Sequence, residues 1–316
     1  MNKRPLGNSD LKVAPLAFGG NVFGWTIDQQ TSFEILDGFV EAGFNFIDTA
    51  DVYSSWAPGN KGGESETILG NWMKSRNNRS EVIIATKVGG DMGQGKKDLS
   101  KKYILKAVED SLQRLQTDYI DLYQTHWDDE STPVEETLET YARLVAEGKI
   151  RWIGASNLSA ERLKLSLETS AKHGYPRYQT FQPLYNLYDR KQFEDELQPL
   201  CLNENVGVIS YFSLASGFLT GKYRSESDLN KSARGGGITQ YLNDRGYAIL
   251  DALDTIAAEY QSTPASIAIA WLLTRPTVSA PIASATNLSQ LKDLTEAVKL
   301  ELNSSALELL TAASNE

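Results

Sequence analysis

Asp48, Tyr53, Lys87 and His126 are the residues whose types and placement invite acid–base chemistry. Asp48 closes the largely apolar stretch Phe44 to Ile47, and a phenol follows five residues later. Lys87 ends the run that opens with Val82, and His126, one of two histidines, directly follows Tyr123-Gln124-Thr125. Each has an ordinary reading as a turn cap, a loop aromatic, a snorkelling lysine or a hydrogen-bonded loop histidine. Four acid–base groups at three successive strand ends are a rarer coincidence and point to a proton-transfer site. A phenol of pKa about 10 is a reluctant acid at neutral pH. An ammonium about 4 Å away, at an effective dielectric of ~20, stabilises phenolate by roughly 4 kcal/mol before desolvation. Lys87 is therefore expected to draw Tyr53 toward working pH, with Asp48 keeping Lys87 charged and placed.

These residues need a scaffold that delivers strand ends to one place. Helical patterns over 30–42, 64–75, 100–115, 133–147, 159–173, 190–205 and 245–260 alternate with apolar runs. Those runs, at 16–18, 44–47, 82–87, 119–123, 150–154, 178–182, 207–211 and 278–282, read as eight strands. Such alternation forces parallel strands with right-handed crossovers, and eight of them close into an α/β (β/α)8 TIM barrel. A doubly wound sheet would carry Gly-x-Gly-x-x-Gly after its first strand, and Gly19-Gly20-Asn21-Val22-Phe23-Gly24 misses that pattern. Residues 3–13 read as an N-terminal β-hairpin outside the repeat. The long irregular segment 213–244 after strand seven, with Gly235-Gly236-Gly237, reads as a mobile cover over the barrel mouth or an idle loop. No domain boundary interrupts residues 1–316, so a single barrel domain is expected.

Composition narrows the partners. A net charge of −10 argues against nucleic acid and anionic membrane. No apolar run approaches membrane-spanning length, and Met1 to Pro5 leads into no signal-peptide core, so a cytoplasmic location is expected. Cys201, the single cysteine, reads as core. Two histidines far apart, with no His-x-His, make a metal-dependent hydrolase improbable and no metal site is expected.

Together, Gly43 to Tyr53, Thr86-Lys87, Asp121 to His126 and Gly148 to Asn157 resemble the aldo-keto reductases, with similarity from Leu6-Gly7 to about Leu294. The resemblance implies a TIM barrel, the tetrad Asp48, Tyr53, Lys87 and His126, and a nicotinamide cofactor. NADPH (NADP+) is the default, with NADH possible. Potassium-channel β subunits share these motifs, so a slow regulatory subunit is the alternative to a metabolic enzyme. Reduction of a small-molecule aldehyde or ketone needs a hydride and a proton. Tyr53 would give that proton, and His126 would hydrogen-bond the substrate oxygen, orienting it or relaying the proton.

By the same resemblance, Ser156, Asn157 and Gln182 would hold the nicotinamide carboxamide and Tyr211 would stack on its ring. Ser213, Leu214, Gly221 and Lys222 resemble the loop over the pyrophosphate, and Ser284, Thr286 and Gln290 fall in the adenosine-side segment. Many relatives carry an arginine near Thr286 or Gln290 that grips the 2′-phosphate; both residues here are neutral, which weakens support for NADPH. Finally, Trp25, Trp56 and Trp127 all fall on loops at the barrel mouth, suggesting an aromatic-walled substrate pocket.

Overall fold

The computed structural model describes residues 2–315. Strands β1 (Arg4–Pro5) and β2 (Lys12–Val13) pair antiparallel around the turn Leu6 to Leu11, as expected. The chain then alternates: β3 (Ala17–Gly19), α1 (Gln29–Glu41), β4 (Phe46–Asp48), α2 (Glu64–Arg76), β5 (Ile83–Val88), α3 (Lys101–Leu115) and β6 (Ile120–Thr125). It continues through α4 (Val134–Ala146), β7 (Ile150–Ser156), α5 (Ala160–His173), β8 (Tyr178–Gln182), α6 (Gln198–Asn203) and β9 (Gly207–Val208). The last part holds α7 (Asp244–Glu259), α8 (Pro264–Leu273), β10 (Ile282–Ala283), α9 (Leu288–Ala297) and α10 (Ser304–Ser314).

Strands β3 to β10 are all parallel, in the order β10-β3-β4-β5-β6-β7-β8-β9. Closure runs through short contacts: Ser279 N donates to Val208 O at 2.8 Å and Ile282 N to Ser210 O at 2.8 Å. This is the (β/α)8 barrel expected from the alternation. Helix starts follow from their caps, as where Asp28, Ser100, Ser159 and Asn243 each accept a hydrogen bond from a first-turn N–H.

Period-two alternation puts one side of each strand inside the barrel. Leu6, Leu11 and Val13 of the hairpin plug the floor, against an inner layer that includes Ala17, Phe46, Ala85, Leu122 and Ile209. Two residues beyond Phe46, Ala85, Leu122 and Thr180 come Asp48, Lys87, Gln124 and Gln182, all buried. The barrel's top layer is thus polar. Gly154 on β7 leaves room for it, since a Cβ there would lie 2.2 Å from Thr180 Oγ1.

Four departures from the sequence reading have physical causes. The expected helix 190–205 is broken by a π-helical turn at Phe193–Leu197 before α6. Pro199 has no N–H to continue the regular ladder, and Gln198 N bonds back to Phe193 O instead. Helix α8 intervenes before the eighth strand; it is buried over Ala265 to Leu272 and so shows no one-sided pattern. Strands seven and eight are shorter than 207–211 and 278–282, with isolated bridges at Tyr211 and Val278. The segment after strand seven is built of short 3-10 turns at 215–220, 226–231, 235–237 and 239–241. Phe218, Tyr223, Ile238 and Tyr241 pack it down, so it is a seated cover.

Candidate active site

The tetrad residues converge at the barrel's top layer. Lys87 Nζ donates to Asp48 Oδ2 at 2.6 Å and to the Thr49 carbonyl at 2.8 Å, and lies 2.8 Å from the Tyr53 hydroxyl. The Tyr53 hydroxyl lies 3.2 Å from the same Asp48 oxygen. Asp48 Oδ1 accepts from Gln182 Nε2 at 2.9 Å and Gln124 Nε2 at 3.2 Å. A carboxylate with partners on both oxygens and a buried ammonium held by three oxygens form a fully satisfied ionic network. The ring of His126 lies 5.9 Å from that of Tyr53, edge to face.

The electrostatics differ from the simple expectation in one respect. Burial first, then the charge of Asp48, pushes the Tyr53 phenol well above its ordinary pKa. Burial lowers the pKa of Lys87, and Asp48 opposes that shift. The ammonium is shared with a carboxylate at 2.6 Å, which offsets part of its pull on the phenol. Tyr53 is accordingly a neutral O–H donor. Burial and then Lys87 lower His126 well below its ordinary value, making it a neutral imidazole at physiological pH. Its Nδ1 is buried without a hydrogen-bond partner among the described residues, and the ring stacks on Trp127 at 3.6 Å.

A second network ties the mouth together. Tyr211 OH donates to Asn157 Oδ1 at 2.9 Å, and Asn157 Nδ2 donates to the His126 carbonyl at 2.9 Å. Asn157 adopts φ 51°, a left-handed conformation that asparagine tolerates. Ser156 Oγ donates to the Gln182 carbonyl at 2.8 Å. Ser156, Asn157 and Tyr211 therefore stand together, whereas the Gln182 amide nitrogen is turned inward to Asp48.

Farther along, Ser213 Oγ donates to Ser210 O at 3.1 Å, and the Leu214 carbonyl accepts from Gly217 N at 2.8 Å. Gly217 has φ 99°, and a Cβ there would come 3.4 Å from Lys222 Nζ. Gly221, at φ 76°, closes this turn. A lysine ammonium lying over such a turn is a cation cradle of the kind a pyrophosphate needs, so these residues fit the expected group. Ser284 Oγ lies 2.7 Å from Gly19 O and 2.8 Å from Asn21 Oδ1. Thr286 N and Oγ1 both donate to Gln290 Oε1, at 2.9 and 3.0 Å, at the start of α9. Of the three tryptophans, Trp25 and Trp56 meet, with rings 5.5 Å apart, and Trp56 lies 6.1 Å from Tyr53, while Trp127 reaches this group only through His126. With His126 and Trp127 they form one aromatic chain around the tetrad.

The family model for the aldo/keto reductase family matches residues 15–315. The chain belongs to the aldo/keto reductase family. An aldo-keto reductase of Bacillus subtilis, YhdN, is 34% identical, covering 94% of this chain and 87% of its own. Another B. subtilis relative, an uncharacterized oxidoreductase, YrpG, is 33% identical over 96% and 93% of the two chains. A probable voltage-gated potassium channel subunit beta of Arabidopsis thaliana is 33% identical over 94% and 91%. Membership makes the chain one of an oxidoreductase family that generally uses nicotinamide cofactors.

Two site residues escaped sequence reasoning. Gln124 lies within the family-like stretch Asp121 to His126, and its position two residues after the inner Leu122 is the signal for its inward side chain. Arg234 approaches from the cover, its guanidinium carbon 5.4 Å from the Trp25 ring centroid. No strand-end rule could have found it.

Proposed function

We propose that this protein reduces small-molecule aldehydes or ketones to alcohols with NADPH, NADH being a weaker alternative. The observation that carries the reading is the neutral Tyr53 hydroxyl held 2.8 Å from Lys87 Nζ and 3.2 Å from Asp48 Oδ2. A bound nicotinamide supplies the hydride. Tyr53 gives its proton to the carbonyl oxygen as negative charge develops there, and Lys87 stabilises the phenolate left behind. Asp48 fixes Lys87 in place, and Gln124 and Gln182 fix Asp48. Neutral His126 carries one ring N–H, able to hydrogen-bond the same carbonyl oxygen and orient it. Ser156, Asn157 and Tyr211 hold the nicotinamide end, Lys222 the pyrophosphate, and Ser284, Thr286 and Gln290 the adenosine end. Gln182 can join the carboxamide only by sharing the amide it gives to Asp48.

The test is a set of aldehydes, ketones and sugars mixed with enzyme and NADPH or NADH, following absorbance of the reduced cofactor. Tyr53→Phe is expected to nearly abolish turnover while cofactor affinity stays within a few-fold. Wild-type-like turnover in that variant removes Tyr53 from the proton-donor role. A second reading is supported by the similarity to a plant channel β subunit: a cofactor-binding regulatory subunit with slow turnover. Tight NADPH binding with no turnover on any carbonyl would favour it.

A further inference from the structure

Helix α2 opens with a buried turn that touches both of the strand ends carrying Asp48 and Lys87. Ser65 and Glu66 are fully buried there, as are their partners Thr49 and Thr86. Thr49 follows Asp48 and Thr86 precedes Lys87. Period-two alternation turns these threonines away from the barrel interior and toward the helices. Ser65 Oγ lies 2.7 Å from Thr49 Oγ1 and donates to the Gly20 carbonyl at 2.8 Å. The Thr49 carbonyl in turn accepts from Lys87 Nζ. Glu66 Oε1 accepts from Thr86 Oγ1 at 2.5 Å, and Glu66 Oε2 from Arg114 Nε of α3 at 2.7 Å. Two glycines make room for that arginine: a Cβ at Gly63 would meet Arg114 Cδ at 2.5 Å, and one at Gly70 would meet Arg114 O at 2.2 Å.

A fully buried carboxylate is costly unless it is paired and hydrogen-bonded, and this one is both. Its charge is also felt inside the barrel. Burial lowers the pKa of Lys87, and Asp48, then Asp51 and Glu66, oppose that shift. Asp51 is itself raised to about 8, so at neutral pH it holds a proton and Glu66 is the charge that remains beside that of Asp48. Tyr53 and His126 complete the titratable surroundings of Lys87, while Asp51, Arg114 and Tyr123 surround Glu66. Solvent screens Arg114, 23% exposed, more than Glu66, 0% exposed, so the pair keeps a net negative influence on Lys87. We propose that Glu66 is a positioning residue for Lys87, acting from behind the strand: it fixes Thr86, the neighbour of Lys87, and sets a buried negative charge at the back of the ammonium's site. Held in this way, Lys87 stays charged while Tyr53 gives up its proton. That consequence for turnover rests on the reductase reading above; the coupling of Glu66 to Lys87 does not.

Two substitutions separate the two roles. Glu66→Gln keeps an acceptor for Thr86 and removes the charge, whereas Thr86→Val removes the hydrogen bond and keeps the charge. Losing the Glu66 charge also lets Asp51 ionise earlier, so Glu66→Gln is compared on both the wild-type and the Asp51→Asn background. On the latter, the basic limb of kcat for aldehyde reduction with NADPH should move down by about half a pH unit or more, and by less on the former. Thr86→Val should lower kcat by about tenfold, with KM within a few-fold and the limb in place. A second readout needs no turnover: the Cε NMR resonance of Lys87, in protein carrying isotope-labelled lysine and assigned with Lys87→Met, is titrated without cofactor. Its midpoint should fall by a similar amount when Glu66→Gln is added to Asp51→Asn. If that midpoint falls while no carbonyl is reduced, the coupling stands and only the reductase reading fails. If neither limb nor midpoint moves and only the urea midpoint drops, Glu66 merely fastens α2 to α3 and the proposal is overturned. A wild-type kcat in Thr86→Val overturns it as well. So does a Lys87 that stays charged in both proteins to the highest pH at which they remain folded. Should Glu66→Gln not fold, Glu66→Met/Arg114→Leu takes its place with the same expected direction, removing both charges and leaving neither unpaired.

Discussion

Asp51, three residues after Asp48, carries a buried carboxyl group that the tetrad does not use. One oxygen accepts from Val52 N at 2.7 Å; the other is buried and has no hydrogen-bond partner among the described residues. Burial first, then the nearby Glu66 charge, raises its pKa to about 8, with Arg114 and Lys87 opposing. The folded protein therefore holds a proton that the unfolded chain releases near its ordinary pKa of about 4. The native state binds more protons across that window, so this group's stabilisation is complete below about pH 4 and is lost as pH rises through about 8. The slope is at most about 1.4 kcal/mol per pH unit for one such group. His126 works in the opposite sense, since its lowered pKa costs stability only as pH falls below about 6.5. Between pH 7 and 8 Asp51 should be visible without it. Urea unfolding at those two pH values should show wild-type stability falling and Asp51→Asn falling less, because an amide does not titrate. Equal slopes in the two proteins would place the Asp51 carboxylate in the ionised form throughout.

Elements explain what the sequence could and could not disclose. Strand–helix alternation was legible because each strand is short and most outer helices have one apolar face. Asp48, Lys87 and His126 were legible because a parallel barrel sends strand ends to one mouth. Helix α8 was hidden by being apolar all round, and the π turn by the distant effect of Pro199. Arg234 was hidden because its place depends on how a long loop folds back. Two loop-borne predictions belong at this scale. Gln290→Arg, at the exposed start of α9, should widen the preference for NADPH over NADH by about tenfold through a charge-assisted phosphate contact. Fluorescence titration of both cofactors checks it, and unchanged affinities would mean that the 2′-phosphate lies elsewhere. Trp127→Ala should raise KM for bulky aromatic aldehydes by about tenfold or more, and for short aliphatic ones much less. Its 3.6 Å stack on His126 sets the contrary outcome: equal losses in kcat for both classes would show that Trp127 acts by holding the imidazole.

At the scale of the whole molecule, the barrel separates stability from chemistry along its axis. The floor packs Leu6, Leu11 and Val13 of the hairpin and the middle layer Ala17, Phe46, Ala85 and Leu122, whereas the top layer holds the buried ion pair of Lys87 and Asp48. Asp48 stands two residues above Phe46, about 7 Å along the strand, and Phe46 in turn belongs to the cluster that includes Leu11. Leu11 is buried at 2% exposure, where no water can fill the space its side chain would leave. Leu11→Ala should therefore cost roughly 2–5 kcal/mol of folding stability, from lost burial plus the cavity that remains. The tetrad's bonds run between strand tops, among Asp48, Lys87, Gln124 and Gln182, and none reaches the hairpin. Turnover measured well below the unfolding temperature should then stay near that of the unaltered protein. Urea unfolding together with kcat/KM on one aldehyde tests both halves. A tenfold fall in kcat/KM with the protein still folded would mean that the floor sets the height of Asp48, and that the layers are mechanically coupled.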